Sequence, residues 1–552
     1  MHFEMKTRFF ALAAALCCCL SCIETNSLVG GSFIPAVETY TFHTATIPLE
    51  GITMKMADSL SGYSDSRITV GAIREPEFGL TTRSSAVTLV PLLPDYGTFE
   101  IGKNPEYIGF HFAAARDTLS YIDKSQEHIL QRLRVYELTS APDPEKDYDC
   151  NRTIAHKDGS IARGTPVYNG TDSLSFDFTP EFGEKYLRLT ADDLTDIKTY
   201  LAKFPGIYFE AEQPEGDGGR INMFDVQLSY SANNSVITGN YATLYYSAEF
   251  DGERKDTSLL FYYGAMDLFD IDSLLTNYSG TFPQYALNLT GQQTRDRSGE
   301  AGDKIWIEGG GGLKPVISAR SLKRQVEQAI SAVGGDPRDA VINKATLVFP
   351  FEFPADHEEM ERWPYRLSPT CRFVSDSTTA FMGLTDSSSG SENQGDVNRS
   401  LLVYAPDITY HMQEILKIDE SDTDKTATKN LFKGNYDIWL LIMAKELQTT
   451  VSSASQEQQE MLNYLAYSSY YNSMYGGYGY GGYGGYGSSY GNYYSNYLNY
   501  AMLAQMYSQS TTTTSTTVAL DKDRFYRAAL NGPAAADGAP TLKITFALPN
   551  EE

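Results

Sequence analysis

The residue best suited to undergo chemistry is Cys22, which closes the run Leu20-Ser21-Cys22. A thiol that follows a small and an apolar residue is where a signal peptide is removed and a lipid attached, which makes Cys22 the mature N-terminus. Residues 1–21 have the order that export reads: Lys6 and Arg8, the apolar run Phe9 to Leu16, then small residues. That run falls short of the ~20 apolar residues that span a bilayer, so it reads as a signal and not an anchor. Of Cys17, Cys18, Cys19 and Cys22, only the last directly follows a small residue, Ser21. Leu20 stands two places before it where a lipobox usually has Leu at three, and the competing expectation is general signal-peptidase cleavage with an ordinary Cys22. If lipidated, Cys22 is the membrane contact, since each buried methylene contributes about 0.8 kcal/mol.

Other residue types that could do chemistry form no constellation. Pairs such as Asp270 with Asp272, or Glu358 with Glu359, could act as acid and base on a glycosidic bond, but 70 acidic residues supply such pairs by chance. Gly309 to Gly312 follows an apolar strand as a phosphate loop does; Lys314 is then followed by Pro315, so a tight turn is expected. The loop Asp376 to Asp396, with Asp386 and Asp396, offers oxygens to calcium but lacks EF-hand spacing, and a solvated loop is expected. There is no GxSxG, HExxH or CxxC, and seven scattered histidines provide no zinc spacing. Catalytic residues, metal ligands and cofactors are therefore expected to be none. Cys150 and Cys371 either pair in an oxidising compartment or remain free.

The elements that must position these residues are mainly β. Val37 to Pro48, Ser85 to Leu93, Leu133 to Leu138, Ile207 to Glu212, Phe224 to Tyr230 and Leu259 to Tyr263 cluster β-branched and aromatic residues between turn formers. Lys304 to Glu308, Ile342 to Pro350, Ser400 to Tyr404, Tyr436 to Met443 and Leu542 to Phe546 continue the pattern. Helices are expected at Ala191 to Lys203 and Ser321 to Val333. A chain of 552 residues exceeds one ordinary core. The expected organisation is a signal peptide over 1–21, a tether over 22–36, and two jelly-roll-like β-sandwich domains over 37–280 and 281–552. A net charge of −26 excludes the basic surface that nucleic acid requires.

Residues 447–515 read as an insertion in the second domain: a helical hairpin whose tip is a Gly/Tyr low-complexity loop. Tyr475, Tyr478, Tyr480, Tyr483 and Tyr486 alternate with glycine there. Glycine makes ordering of such a tract costly, while tyrosine rings stack on sugars, proteins or one another. Adhesion is the functional expectation, and a tolerated loop expansion the competing one.

Several landmarks resemble, in order, a family of secreted Gram-negative lipoproteins known as domain-of-unknown-function family four-two-seven-zero. They are Val29-Gly30-Gly31 before Phe33-Ile34-Pro35, Glu75-Pro76-Glu77-Phe78-Gly79, Leu133 to Leu138, Phe204-Pro205-Gly206-Ile207-Tyr208, Trp306 to Leu313, Ile342 to Pro350 and Pro540 to Ile544. The resemblance implies an exported, membrane-tethered, β-rich protein and supplies no catalytic residues. More loosely, Ile342 to Pro350 with a later Ile408-Thr409-Tyr410 resembles strand pairs of jelly-roll modules. Exported proteins of such bacteria are often O-glycosylated at Asp-Ser/Thr-apolar triplets, so the resemblance implies Ser59, Thr118, Ser173 and Ser273 as acceptors. The alternative is that Asp-Ser is a common exit from a turn. The functional expectation is a non-enzymatic lipoprotein of the outer membrane, displayed on the cell surface, that works by adhesion or by binding a glycan or a protein, or as an accessory to an envelope assembly. The alternative is an enzyme acting on polysaccharide through a carboxylate pair.

Overall fold

The computed structural model describes residues 39–550, apart from 452–511 and short stretches at 65, 94–95, 144–145, 147, 232–235, 266–268, 270–279, 282–285, 294–296, 356, 375–378 and 389–392. Cys22, Ser273, the Asp270 and Asp272 pair, and the Gly/Tyr tract with Tyr475, Tyr478, Tyr480, Tyr483 and Tyr486 lie outside the described residues.

Strands dominate, as the alternating apolar pattern predicts. A nine-stranded antiparallel sheet centres on Gly79–Val87, Arg67–Glu75 and Gly218–Asp225. A five-stranded sheet built on Lys103–Ala115, Tyr241–Phe250 and Glu253–Tyr263 shares a core with it. Alternate residues of each strand point to one face, so the two inner faces supply Phe110, Phe112, Phe209, Phe224 and Phe261 to that core. The expected helix at Ala191 to Lys203 is broken in two. A 3-10 turn, Ala191–Leu194, precedes a helix, Ile197–Lys203, because the Asp196 carboxylate accepts from the Thr199 N–H at 2.9 Å and starts a new helix there.

The second core lies between a sheet built on Tyr40–Pro48, Thr541–Pro549 and Val341–Pro350, a seven-stranded sheet, and the helices Ala319–Ala332 and Thr409–Leu416. The seven-stranded sheet runs Gly299–Glu300, Ile52–Met56, Leu313–Ile317, Ile438–Val451, Arg366–Val374 and Thr379–Gly383, with Thr512–Leu520 paired to Ile438–Val451. Ile408 to Tyr410 does not add a strand to Val341–Pro350. Ile408 donates one N–H to the Ala345 carbonyl at 2.8 Å, and a helix begins at Thr409. The Asp386 carboxylate receives the Tyr410 and His411 N–H groups there, which favours the helix over a ladder.

The chain divides between the cores differently from the expected boundaries. Tyr40–Pro48 pairs along its whole length with Thr541–Pro549, and Ile52–Met56 pairs with Leu313–Ile317, so both strands belong to the second core. At the other boundary, Ala286–Gln293 pairs with Gly79–Val87 and belongs to the first sheet. The first core is thus inserted between strands of the second. Alternation identifies a strand but carries no label for its partner, which here lies up to the full chain away. The ribbon of Ile438–Val451 with Thr512–Leu520 also continues past the expected insertion boundaries at 447 and 515.

Candidate functional site

The segment Asp521 to Arg527 crosses the outer face of the nine-stranded sheet and joins the two cores. Asp523 accepts from Asn288 Nδ2 at 2.9 Å and from Ser64 Oγ at 3.1 Å. Phe525 is buried against Ile73, Ile221 and Met223. At the hairpin Glu75 to Gly79, the Glu75 carboxylate receives Arg362 Nη1 at 2.7 Å and Arg527 Nε at 3.1 Å. Phe78 meets Trp306 edge-on, with ring centroids 5.3 Å apart. The landmark from Glu75 to Gly79 is therefore a joint between the two cores.

Beside this joint opens a cleft of about 610 Å³, within the size range of ligand sites. One wall is the turn and short strand from Thr118 to Lys124, at the edge of the nine-stranded sheet. The opposite wall is the 3-10 turn His357–Arg362 with Tyr365 and Lys445, and Phe525 and Tyr526 complete the lining. Tyr121 stacks on Phe525 with centroids 4.9 Å apart and planes at 28°. Burial raises the Tyr121 phenol above its ordinary range, with Arg362, whose guanidinium lies 5.6 Å from the ring, opposing the shift. Lys445 Nζ stands 4.2 Å from the Tyr365 ring centroid, and the Tyr365 hydroxyl donates to Asp396 at 3.2 Å.

Of the Glu358 and Glu359 pair, Glu358 crosses the cleft to the Lys124 ammonium and Glu359 lies 3.8 Å from Arg362. Glu361, exposed on the same turn, makes no ion pair among the described residues. The cleft thus combines aromatic rings with exposed cationic and anionic side chains. Such a lining can place apolar C–H faces against rings while hydroxyls meet charged acceptors and donors.

The other residues singled out in the sequence are dispersed. Thr118 is exposed on the cleft wall, and Asp117 before it pairs with Arg67 at 2.8 Å while accepting from the Leu119 N–H. Ser173 is exposed at the start of Ser173–Asp177. The Ser59 hydroxyl is buried, so in the folded chain it cannot receive a glycan. Asp386 caps the helix Thr409–Leu416 and Asp396 pairs with Arg366. Both carboxylates are thus engaged by protein groups.

Gly309 to Gly312 is a turn whose carbonyls, not its N–H groups, point inward. Lys314 Nζ donates to the carbonyls of Glu308, Gly310 and Gly312. The turn carries its own cation and offers nothing to a phosphate. Cys150 and Cys371 are free thiols; burial raises the first and pushes the second up to about 12, which leaves both as poor nucleophiles at neutral pH.

Sequence reasoning singled out Glu358, Glu359 and Thr118 but missed Tyr121, Tyr365, Phe525 and Tyr526. The one local signal was Asp521 to Tyr526, where two adjacent rings follow four charged residues without strand alternation. No family model, no curated protein and no solved structure matches the chain.

Proposed function

We propose that this is a non-catalytic binding protein, tethered to the outer membrane by a lipid on Cys22 and displayed on the cell surface, that holds a glycan in the cleft between its two cores. The resemblance to the lipoprotein family supports the tether. The observation that carries the binding reading is the cleft itself, where Tyr121, Tyr365, Phe525 and Tyr526 converge with Lys445 and Glu361. Rings and exposed charges together suit saccharides, whose faces are apolar and whose edges are hydroxyls. The Gly/Tyr tract offers a second contact, to sugars or to a surface protein, and it is carried on the ribbon of Ile438–Val451 and Thr512–Leu520.

The second reading, a polysaccharide-acting enzyme, is favoured by three glutamates on one wall, Glu358, Glu359 and Glu361. Ion pairs already engage Glu358 and Glu359, which weighs toward binding. An oligosaccharide array probed with the full chain tests the proposal. Wild type is expected to retain a defined set of glycans, and Tyr365→Ala and Glu361→Gln to lose them by about tenfold or more, the equivalent of ~1.4 kcal/mol. Equal binding by wild type and both variants would remove the cleft from the proposal, and release of new reducing ends would establish the enzyme.

A further inference from the structure

A second concavity, of about 410 Å³, lies on one face of the seven-stranded sheet. The strand register explains its composition. Thr53 faces Val316, Val316 faces Trp439, and Trp439 faces Thr370 across the sheet, so these residues share one side. Lys55 and Arg372 follow Thr53 and Thr370 by two residues and project from that same side. Both cations converge on a single indole: Lys55 Nζ lies 6.0 Å from the Trp439 ring centroid and Arg372 Cζ 5.6 Å from it. Trp439 is only 3% exposed and is braced edge-on by Phe381 at 5.4 Å, so the ring is a fixed support for the two charges.

The charges are incompletely answered. Lys55 is exposed and makes no ion pair among the described residues. Among the described residues Arg372 pairs with Asp58, by Nη2 at 3.4 Å, and its Nε is buried with no hydrogen-bond partner. A guanidinium has five N–H donors in a planar fork, and a buried donor left unmade is costly. Lys55 and Arg372 share the groove lining with one carboxylate, Asp58, while Glu300 stands across from Thr53 on the neighbouring strand. Arg366–Val374, which Tyr365 immediately precedes, and Ile438–Val451 carry Tyr365 and Lys445 to the cleft and Arg372 and Trp439 to this groove, roughly 20 Å apart along the strand direction. The two sites are therefore separate.

We propose that this groove is an oxyanion-binding site, in which Arg372 and Lys55 hold a carboxylate, sulfate or phosphate group and Asp58 competes with the ligand for Arg372. The proposal does not depend on what occupies the cleft. Two oxygens of a carboxylate, sulfate or phosphate group suit the Arg372 fork, Lys55 adds a point charge, and Ser298 in the lining is a further hydroxyl donor.

The test is titration of the full chain with sodium sulfate, sodium phosphate and sodium glucuronate, each at constant ionic strength against sodium chloride, with glucose as the neutral control. At least one oxyanion is expected to bind saturably, and glucose not to. Response to glucuronate alone identifies a sugar acid as the ligand; response to sulfate or phosphate identifies the free or esterified inorganic anion. Lys55→Met and Arg372→Met are each expected to weaken binding by about tenfold or more, and Asp58→Asn to strengthen it severalfold by removing the competitor. Lys55 is exposed, so its variant separates lost binding from lost folding. Absence of binding by all three anions, or unchanged affinity in Lys55→Met, or weaker binding in Asp58→Asn, would overturn the proposal. Only the part of a response that is lost in Lys55→Met belongs to the groove, which separates it from sugar binding in the cleft.

Discussion

Lys314 illustrates how a single residue can carry one meaning in sequence and another in the fold. Beside four glycines it resembles part of a phosphate loop, yet its ammonium fills the turn by donating to three backbone carbonyls. Burial pushes it down to about 7, with Glu308 opposing the shift. An unfolded lysine titrates near its ordinary 10.5, so between pH 7 and 10.5 the unfolded chain binds the proton that the folded chain lacks. The contribution of Lys314 to stability therefore rises with pH across that window, on the order of 1 kcal/mol per unit, and its charging penalty is fully present below pH 7. Urea denaturation of wild type and Lys314→Met from pH 7 to 10 checks this. The variant is expected to lose that slope and, with the two N–H donors of the neutral amine withdrawn from these carbonyls, to be less stable by about 2 kcal/mol near pH 9. A slope equal in the two proteins would assign the titration elsewhere.

The local elements followed from the sequence wherever alternation or a cap was decisive. Lys304–Glu308 and Ala345 to Phe349 within Val341–Pro350 are strand because apolar side chains recur at every second residue and bury on one face, while a register shift between Ile342 and Lys344 interrupts that period. The helix Ala319–Ala332 starts where Ser318 accepts the Ser321 N–H. The segment Asp521 to Arg527 could not be read in that way. Its side chains serve the joint individually, Asp523 on Asn288, Phe525 on Met223 and Arg527 on Glu75, with no periodicity to reveal them. Phe525 is 4% exposed and also supports Tyr121, so Phe525→Ala is expected to cost about 3–5 kcal/mol by cavity formation. It should also weaken glycan binding, in contrast to an exposed control such as Ile108→Ala on the five-stranded sheet, which leaves both unchanged. Chemical denaturation and array binding measure the two effects together. A stable Phe525→Ala protein would mean that the segment is not a structural joint.

For the whole molecule, the interleaving of the cores was hidden because partner choice is non-local. Tyr40–Pro48 and Thr541–Pro549 come from opposite ends of the chain yet pair from Tyr40↔Pro549 to Pro48↔Thr541. This pairing also fixes where the proposed tether joins the fold, since Cys22 precedes Tyr40 by a short stretch of chain. Cys22→Ala in the native host is expected to move the protein from the membrane fraction to the soluble fraction. Membrane retention of the variant would assign the holding contact to another part of the chain, the Gly/Tyr tract being the first to delete. Glycan binding in the cleft beside the joint is measured by calorimetric titration of an array-selected oligosaccharide into the full chain. Wild type is expected to bind saturably, Tyr365→Ala to bind about tenfold or more weakly, and the oligosaccharide to be recovered intact. Unchanged affinity in that variant, or a cleaved oligosaccharide, would contradict non-catalytic binding there.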